Sequence, residues 1–122
     1  MKIEKSLEDY LETILMLSKK GDVRAIDIAK SLNFSKPSVS VALKNLKNQD
    51  YIDIDDSNHI TLTDKGLNRA TIILEKHELL TDMFLKLGIP PEIAHIEACQ
   101  IEHCLSEVSF ACIKKHYLEF IK

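Results

Sequence analysis

Glycine and proline are scarce in this sequence, three of each in 122 residues, and each falls where an element should begin or end. No Gly/Ser linker, low-complexity tract or internal repeat interrupts the chain. The three cysteines, Cys99, Cys104 and Cys112, are odd in number and lack CxxC spacing. That argues against a disulfide framework or a structural zinc knuckle and leaves single thiols as core filler or metal ligands. No apolar run is long enough to span a bilayer, and no signal-peptide apolar segment opens the chain. A soluble, cytoplasmic protein with no membrane partner is therefore expected. An excess of positive charge is missing too: the net charge is −3 and the pI about 5.9. This does not exclude nucleic acid as a partner, because basic residues lining one helix can be masked by acids elsewhere.

What is present reads as helices with one small hairpin. The length suits one compact domain, or a small DNA-binding domain with a short accessory one, and a hydrophobic share of 45% suffices for a core. Leu7, Tyr10, Leu11, Ile14, Leu15 and Leu17 recur at helical spacing, with Ser6 as the expected N-cap and Lys19 to Gly21 as the stop. A short helix is expected over residues 25–32, then a turn over 33–35. Ser35 caps a third helix opened by Lys36 and Pro37, with Val39, Leu43 and Leu46 facing inward. Alternation over 51–54 and 59–63, around a turn at 55–58, predicts a hairpin. Three further helices follow: one from Thr63 or Asp64 to about Leu87, one opened by Pro90 and Pro91, and one over about 106–120. The expected fold is mainly α. A winged helix-turn-helix with a small β-hairpin wing, residues 1–64, precedes a helical metal-binding and dimerisation domain, residues 65–122.

The third helix has a distinctive charge pattern. Its outward face carries Pro37, Ser38, Ser40, Val41, Lys44 and Asn48, flanked by Lys36 and Lys47, and no carboxylate occurs between Lys36 and Gln49. Such a helix can enter a major groove without phosphate repulsion. A merely solvated face would look the same on charge alone; the cap, turn and hairpin around it favour DNA. The expected DNA-contacting set is Ser35, Lys36, Pro37, Ser38, Ser40, Val41, Lys44 and Lys47. Ser38 and Val41 are the base-edge candidates, and Lys36, Lys44 and Lys47, with Lys65 beside the wing, the phosphate candidates.

The second half carries chemistry that DNA binding does not need. Cys99, Glu102 and His103 stand at i, i+3 and i+4, with His95 one turn earlier on the same face. Thiolate, carboxylate and imidazole converging in this way supply half a transition-metal shell. The same spacing also suits a small core cysteine beside a solvated polar pair. His77 lies on the preceding long helix, and Asp9 and Glu12 share one face of the first. An ion bound by such distant segments would act as a switch.

Six motifs, spread over essentially the whole length, are Ser6-Leu-Glu-Asp-Tyr-Leu-Glu, Asp27-Ile-Ala, Pro37-Ser-Val-Ser, Leu62-Thr-Asp-Lys-Gly, Lys76-His-Glu-Leu-Leu and Ile101-Glu-His-Cys-Leu-Ser. In these the chain resembles the diphtheria toxin repressor and manganese transport regulator family. The resemblance implies a metal-activated repressor that binds palindromic double-stranded operator DNA as a homodimer and controls metal-homeostasis genes. It implies no enzymatic activity and no organic substrate. Asp9, Glu12, His77, Glu102 and His103 fall on ligand positions of the manganese type, whereas Cys99 and His95 agree with the iron type. Thr81 stands where the iron type has a further glutamate.

The implied cofactor is a divalent transition metal, Mn²⁺ or Fe²⁺, with Zn²⁺ or Co²⁺ possible in vitro. Asp9 favours a hard ion and Cys99 a softer one. The expected arrangement is one site of Asp9, Cys99, Glu102 and His103 beside another of Glu12, His77 and His95. The SH3-like domain of many iron-type members is not expected, and the dimer surface is placed on Val108, Ala111, Cys112, Leu118 and Phe120. The alternative is a winged-helix regulator answering to Zn²⁺, Co²⁺ or a small molecule. A Cys–His nucleophile is disfavoured, since Cys99 and His103 share one helix with no Gly-rich turn or oxyanion donor nearby.

Overall fold

The structure, a computed structural model, describes residues 2–121, with side chains from residue 6 onward. It is mainly helical: α1 (Lys2–Ser18), α2 (Ala25–Leu32), α3 (Lys36–Asn48), the hairpin strands β1 (Ile52–Ile54) and β2 (Ile60–Leu62), then α4 (Asp64–Lys86), α5 (Pro91–Ile101) and α6 (Glu107–His116). A π-helical turn, Tyr117–Ile121, follows α6. Two compact units divide inside α4, the first reaching Thr71 and the second starting at Ile72. None of the described helices is long and apolar enough to cross a membrane.

The first unit is a winged helix-turn-helix around one apolar core. Leu11, Ile14, Val23, Ile28, Val39, Leu46 and Ile52 are each at most 2% exposed and come from α1, α2, α3, β1 and the chain before α2. Periodicity explains the helices; local chemistry sets their ends. Asn33 takes the left-handed conformation (φ 58°) at the end of α2, as a short amide side chain can. Ser35 Oγ accepts from the Ser38 backbone N–H and caps α3, with Pro37 in the first turn. Ser6 is not a cap: α1 already runs from Lys2. Residues 2–5 contain no glycine or proline to break the helix, so it extends past the serine.

The wing is antiparallel, pairing Ile52 with Leu62 and Ile54 with Ile60. Its turn is organised by the Asp55 carboxylate, which accepts from the Ser57 and His59 backbone N–H groups at 2.9 Å. Those bonds, the one from His59 first, hold the Asp55 carboxyl below the usual carboxylate range. After the wing, Thr63 donates its N–H to Tyr51 O, and Gly66 lies so close that a Cβ there would stand 2.0 Å from that oxygen. The glycine of the Leu62-Thr-Asp-Lys-Gly motif is thus a close-approach residue.

The second unit has a smaller core: Leu79, Phe110 and Tyr117, with Met83, Leu105, Ile113 and Ile121 against it. Gly88, at φ 94°, turns the chain after α4. Ser106 Oγ caps α6 by accepting from the Ser109 backbone N–H. Tyr117 donates its hydroxyl hydrogen to Asp82, which also pairs with Lys86 at 3.0 Å. This bond to Asp82, with burial, raises the Tyr117 pKa.

Candidate metal centre and DNA-binding face

In the first unit, the acid-free face of α3 is open to solvent. Lys36, Pro37, Ser38, Ser40, Val41, Lys44 and Lys47 are all exposed, with Val41 at 62%, while Val39, Leu43 and Leu46 point into the core. Lys36, Lys44 and Lys47 form no ion pair among the described residues, so their charges are not neutralised within the unit. Two expected contacts are otherwise engaged. Ser35 belongs to the cap, and its hydroxyl also bonds that of Ser38 at 2.9 Å. Lys65 donates to Gln49 O at 2.8 Å and lies 4.3 Å from the Tyr51 ring centroid, which ties the start of α4 to the end of α3.

In the second unit, α4 contributes His77 and α5 contributes His95 and Cys99. Ligand atoms of these three all lie within 4.8 Å of one another. His95 and Cys99 share a face because they are four residues apart on α5. The His77 and His95 rings meet edge to face, with centroids 4.8 Å apart. His77 Nδ1 is 2.7 Å from Glu102 Oε1 and 3.5 Å from Cys99 Sγ.

Glu102 and His103 sit just past the last turn of α5, not within it as their spacing suggested, but Glu102 keeps helical dihedrals and so stays on the same side. Glu102 is fully buried. Its Oε2 has no hydrogen-bond partner among the described residues; His103 Nε2, on a side chain 4% exposed, is 3.6 Å away.

This donor set fits a transition-metal ion. An ionised carboxylate buried with one oxygen unsatisfied is strongly unfavourable unless a cation joins it. Two imidazoles, a thiol and that carboxylate are ligand types of Mn²⁺, Fe²⁺, Co²⁺ and Zn²⁺. The grouping differs from the expected one, in which Cys99 joined Asp9, Glu102 and His103 while His77 and His95 joined Glu12. Cys99 instead clusters with His77 and His95. Spacing within α5 reveals which residues share its face, but not which α4 residue that face meets. Asp9 and Glu12 lie on α1 in the first unit, half-buried and three residues apart.

One contributor escaped the sequence reading. Lys76, next to His77, is only 7% exposed and donates to Leu105 O at 3.2 Å, in the turn that carries Glu102 and His103. A lysine among apolar residues of a long helix was the available signal. The same unit leaves large apolar side chains in solvent: Ile93 at 48%, Ile96 at 58%, Val108 at 75%, Leu118 at 53% and Phe120 at 71%. Ala111 and Cys112 are exposed as well, so all five residues expected at a dimer surface lie outside the core.

Comparisons with known proteins agree with both halves. Residues 2–60 match the family model described as iron dependent repressor, N-terminal DNA binding domain. Residues 63–122 match iron dependent repressor, metal binding and dimerisation domain. An uncharacterised HTH-type transcriptional regulator of Methanocaldococcus jannaschii is 34% identical, over 86% of this chain and 86% of its own. The transcriptional regulator MntR of Escherichia coli is 34% identical over 83% of this chain and 66% of its own. The iron-dependent repressor IdeR of Mycobacterium tuberculosis is 35% identical over 82% of this chain and 44% of its own. The solved manganese regulator SloR superposes with a TM-score of 0.80 at 32% identity, over 95% of this chain and 54% of that one. The chain thus spans about half to two thirds of the length of these last three.

Proposed function

The chain belongs to the family of iron dependent repressors, and from that premise we propose that it is a metal-dependent transcriptional repressor that binds palindromic operator DNA as a homodimer. The family is one of DNA-binding regulators, not enzymes. The observation that carries the proposal is the buried Glu102 carboxylate, with an unsatisfied oxygen, beside the clustered His77, His95 and Cys99. Mn²⁺ or Fe²⁺ is the proposed metal, Asp9, Glu12 and His103 complete the proposed ligands, and the cytoplasm is the proposed location.

When bound, a dication supplies the positive charge that neutralises these carboxylates and joins their helices. Lys76, bonded to Leu105 O, holds the turn bearing Glu102 and His103. The exposed apolar side chains of α5, α6 and the C-terminal turn supply the dimer surface. Pairing sets two α3 helices at about 34–36 Å or a related groove repeat. Lys36, Lys44 and Lys47 then meet phosphates, and Ser38, Ser40 and Val41 meet base edges.

The test selects a duplex with the metal-loaded protein under anaerobic conditions and measures its binding with Mn²⁺, Fe²⁺, Co²⁺ and Zn²⁺. Binding should need the metal and be lost with chelator; metal-independent binding overturns the proposal. The Cys99 thiol beside two imidazoles favours a second reading, in which Zn²⁺ or Co²⁺ is the effector. Cys99→Glu separates the two, because it should move the metal ranking toward Mn²⁺. An unchanged ranking removes Cys99 from the account of selectivity.

A further inference from the structure

The cleft between α3 and the wing holds about 570 Å³ and is lined by three cations, Arg24, Lys44 and Lys47, with Ser40 and Asn58 beside them and no carboxylate. Lys44 and Lys47 form no ion pair among the described residues. Their charges are therefore left facing a concave surface continuous with the exposed face of α3.

Arg24 is positioned from the wing. Its Nη2 lies 3.2 Å from His59 Nε2. A guanidinium can only donate, so His59 Nε2 must accept, which puts the imidazole hydrogen on Nδ1. That Nδ1 faces Asp55 Oδ2 at 3.5 Å, and the Asp22 carboxylate lies 3.9 Å from Nε2. Asp55 is itself fixed by the backbone N–H groups of Ser57 and His59. Asp55, His59 and Arg24 thus form a chain of contacts that ends at the cleft, with the guanidinium already oriented.

We propose that this cleft seats a DNA backbone phosphate, contacted by Arg24 together with Lys44 and Lys47, and that His59 is the positioning residue for Arg24. The inference rests on the reading of α3 as the DNA-binding helix. An arginine fork suits a phosphate better than a point charge does, and orienting it beforehand lowers the ordering cost of binding. It also gives the wing a role without inserting it into a groove.

Phosphate contacts are independent of sequence, so a short mixed-sequence duplex serves as the probe, with the Mn²⁺-loaded 122-residue chain and anisotropy read over a KCl series. Arg24→Gln and Arg24→Ala should each reduce the salt slope by about one, as Lys44→Ala should. His59→Leu should keep the slope and weaken binding about threefold by loss of preorganisation. His59→Gln, able to accept from Arg24 again, should restore it. If Lys44→Ala lowers the slope and both Arg24 variants leave it unchanged, the phosphate seat is overturned. Unchanged slopes in all three overturn the DNA reading of α3 along with it. Equal weakening by His59→Leu and His59→Gln overturns the positioning role.

Discussion

The two units of this chain are both helical, yet they differ in what holds them. The first buries a continuous apolar core drawn from α1, α2, α3, the start of α4 and both strands, and it carries 11 basic and 11 acidic residues through Thr71. The second carries 5 basic and 8 acidic residues, a small aromatic-centred core, a fully buried glutamate and a broad set of apolar side chains in solvent. A unit of the first kind has its stability built in. A unit of the second kind leaves two needs open, a cation for Glu102 and a cover for Ile96, Val108, Leu118 and Phe120. Under the proposed function, the unit that matches a DNA-binding domain is complete in itself, and the unit that matches a metal-binding and dimerisation domain depends on what it binds.

The largest expected effect tests that dependence directly. A metal bound at a thousand times its Kd stabilises the state that binds it by about 4 kcal/mol. Hydrogen exchange should show that gain in the amides of α5 and α6, and a smaller one in α2 and α3. Equal gains in both would break the comparison, because the units would then share one stability. Next comes the converse test. Leu11 is fully buried in the first core, so Leu11→Ala should cost about 3 kcal/mol, read by chemical denaturation. Leu87→Ala, at a second-unit residue 66% exposed just after α4 and outside the proposed dimer surface, should change it by less than about 0.5 kcal/mol. A similar loss at both positions would mean that the second unit is packed as fully as the first.

The asymmetry also governs what the sequence reveals. In the first unit almost everything is local: the Leu11–Ile14 periodicity, the Ser35 cap with Pro37 behind it, and the alternation through Ile52 and Ile60 each mark their own element. Ser6 misled because a capping residue is only an opportunity, and α1 had no breaker before it. In the second unit the ligand types and the shared face of His95 and Cys99 were legible, since both lie on one helix. The partner of Cys99 was not, because which face of α4 meets the α5 face that buries Ala94 and Ala98 is decided by tertiary packing rather than by spacing within either helix. Lys76 shows the same limit: a buried ammonium is intelligible only once Leu105 O is seen opposite it.

The exposed apolar set yields the third prediction. Phe120→Ser and Val108→Ser should each weaken self-association by about 2 kcal/mol, about thirtyfold in Kd, if these side chains sit at the centre of the interface. Analytical ultracentrifugation of the metal-loaded protein reads the shift. Both residues are largely exposed, so the folded chain itself should tolerate the changes. Unaltered association in both variants would move the dimer surface off α6 and the C-terminal turn.

The smallest expected effect lies in the first unit, where the comparison predicts that electrostatics only trims a structure held by its core. Asp55 is exposed, and its carboxyl is held below the ordinary value chiefly by the His59 backbone N–H. A group whose folded pKa is depressed contributes stability that is complete above its unfolded pKa and is lost as pH falls through the folded one. The wing turn should therefore hold at neutral pH and loosen only in acid, below the ordinary range for an aspartate. The Ser57 and His59 amide resonances should move in that window while those of Ile52 and Ile60, whose side chains are buried, stay in place. In Asp55→Asn the acid step should disappear, because the amide oxygen can still accept both hydrogen bonds but no longer titrates. If the buried strand residues moved together with the turn, the wing would depend on that carboxylate, and the first unit would be less self-sufficient than its core implies.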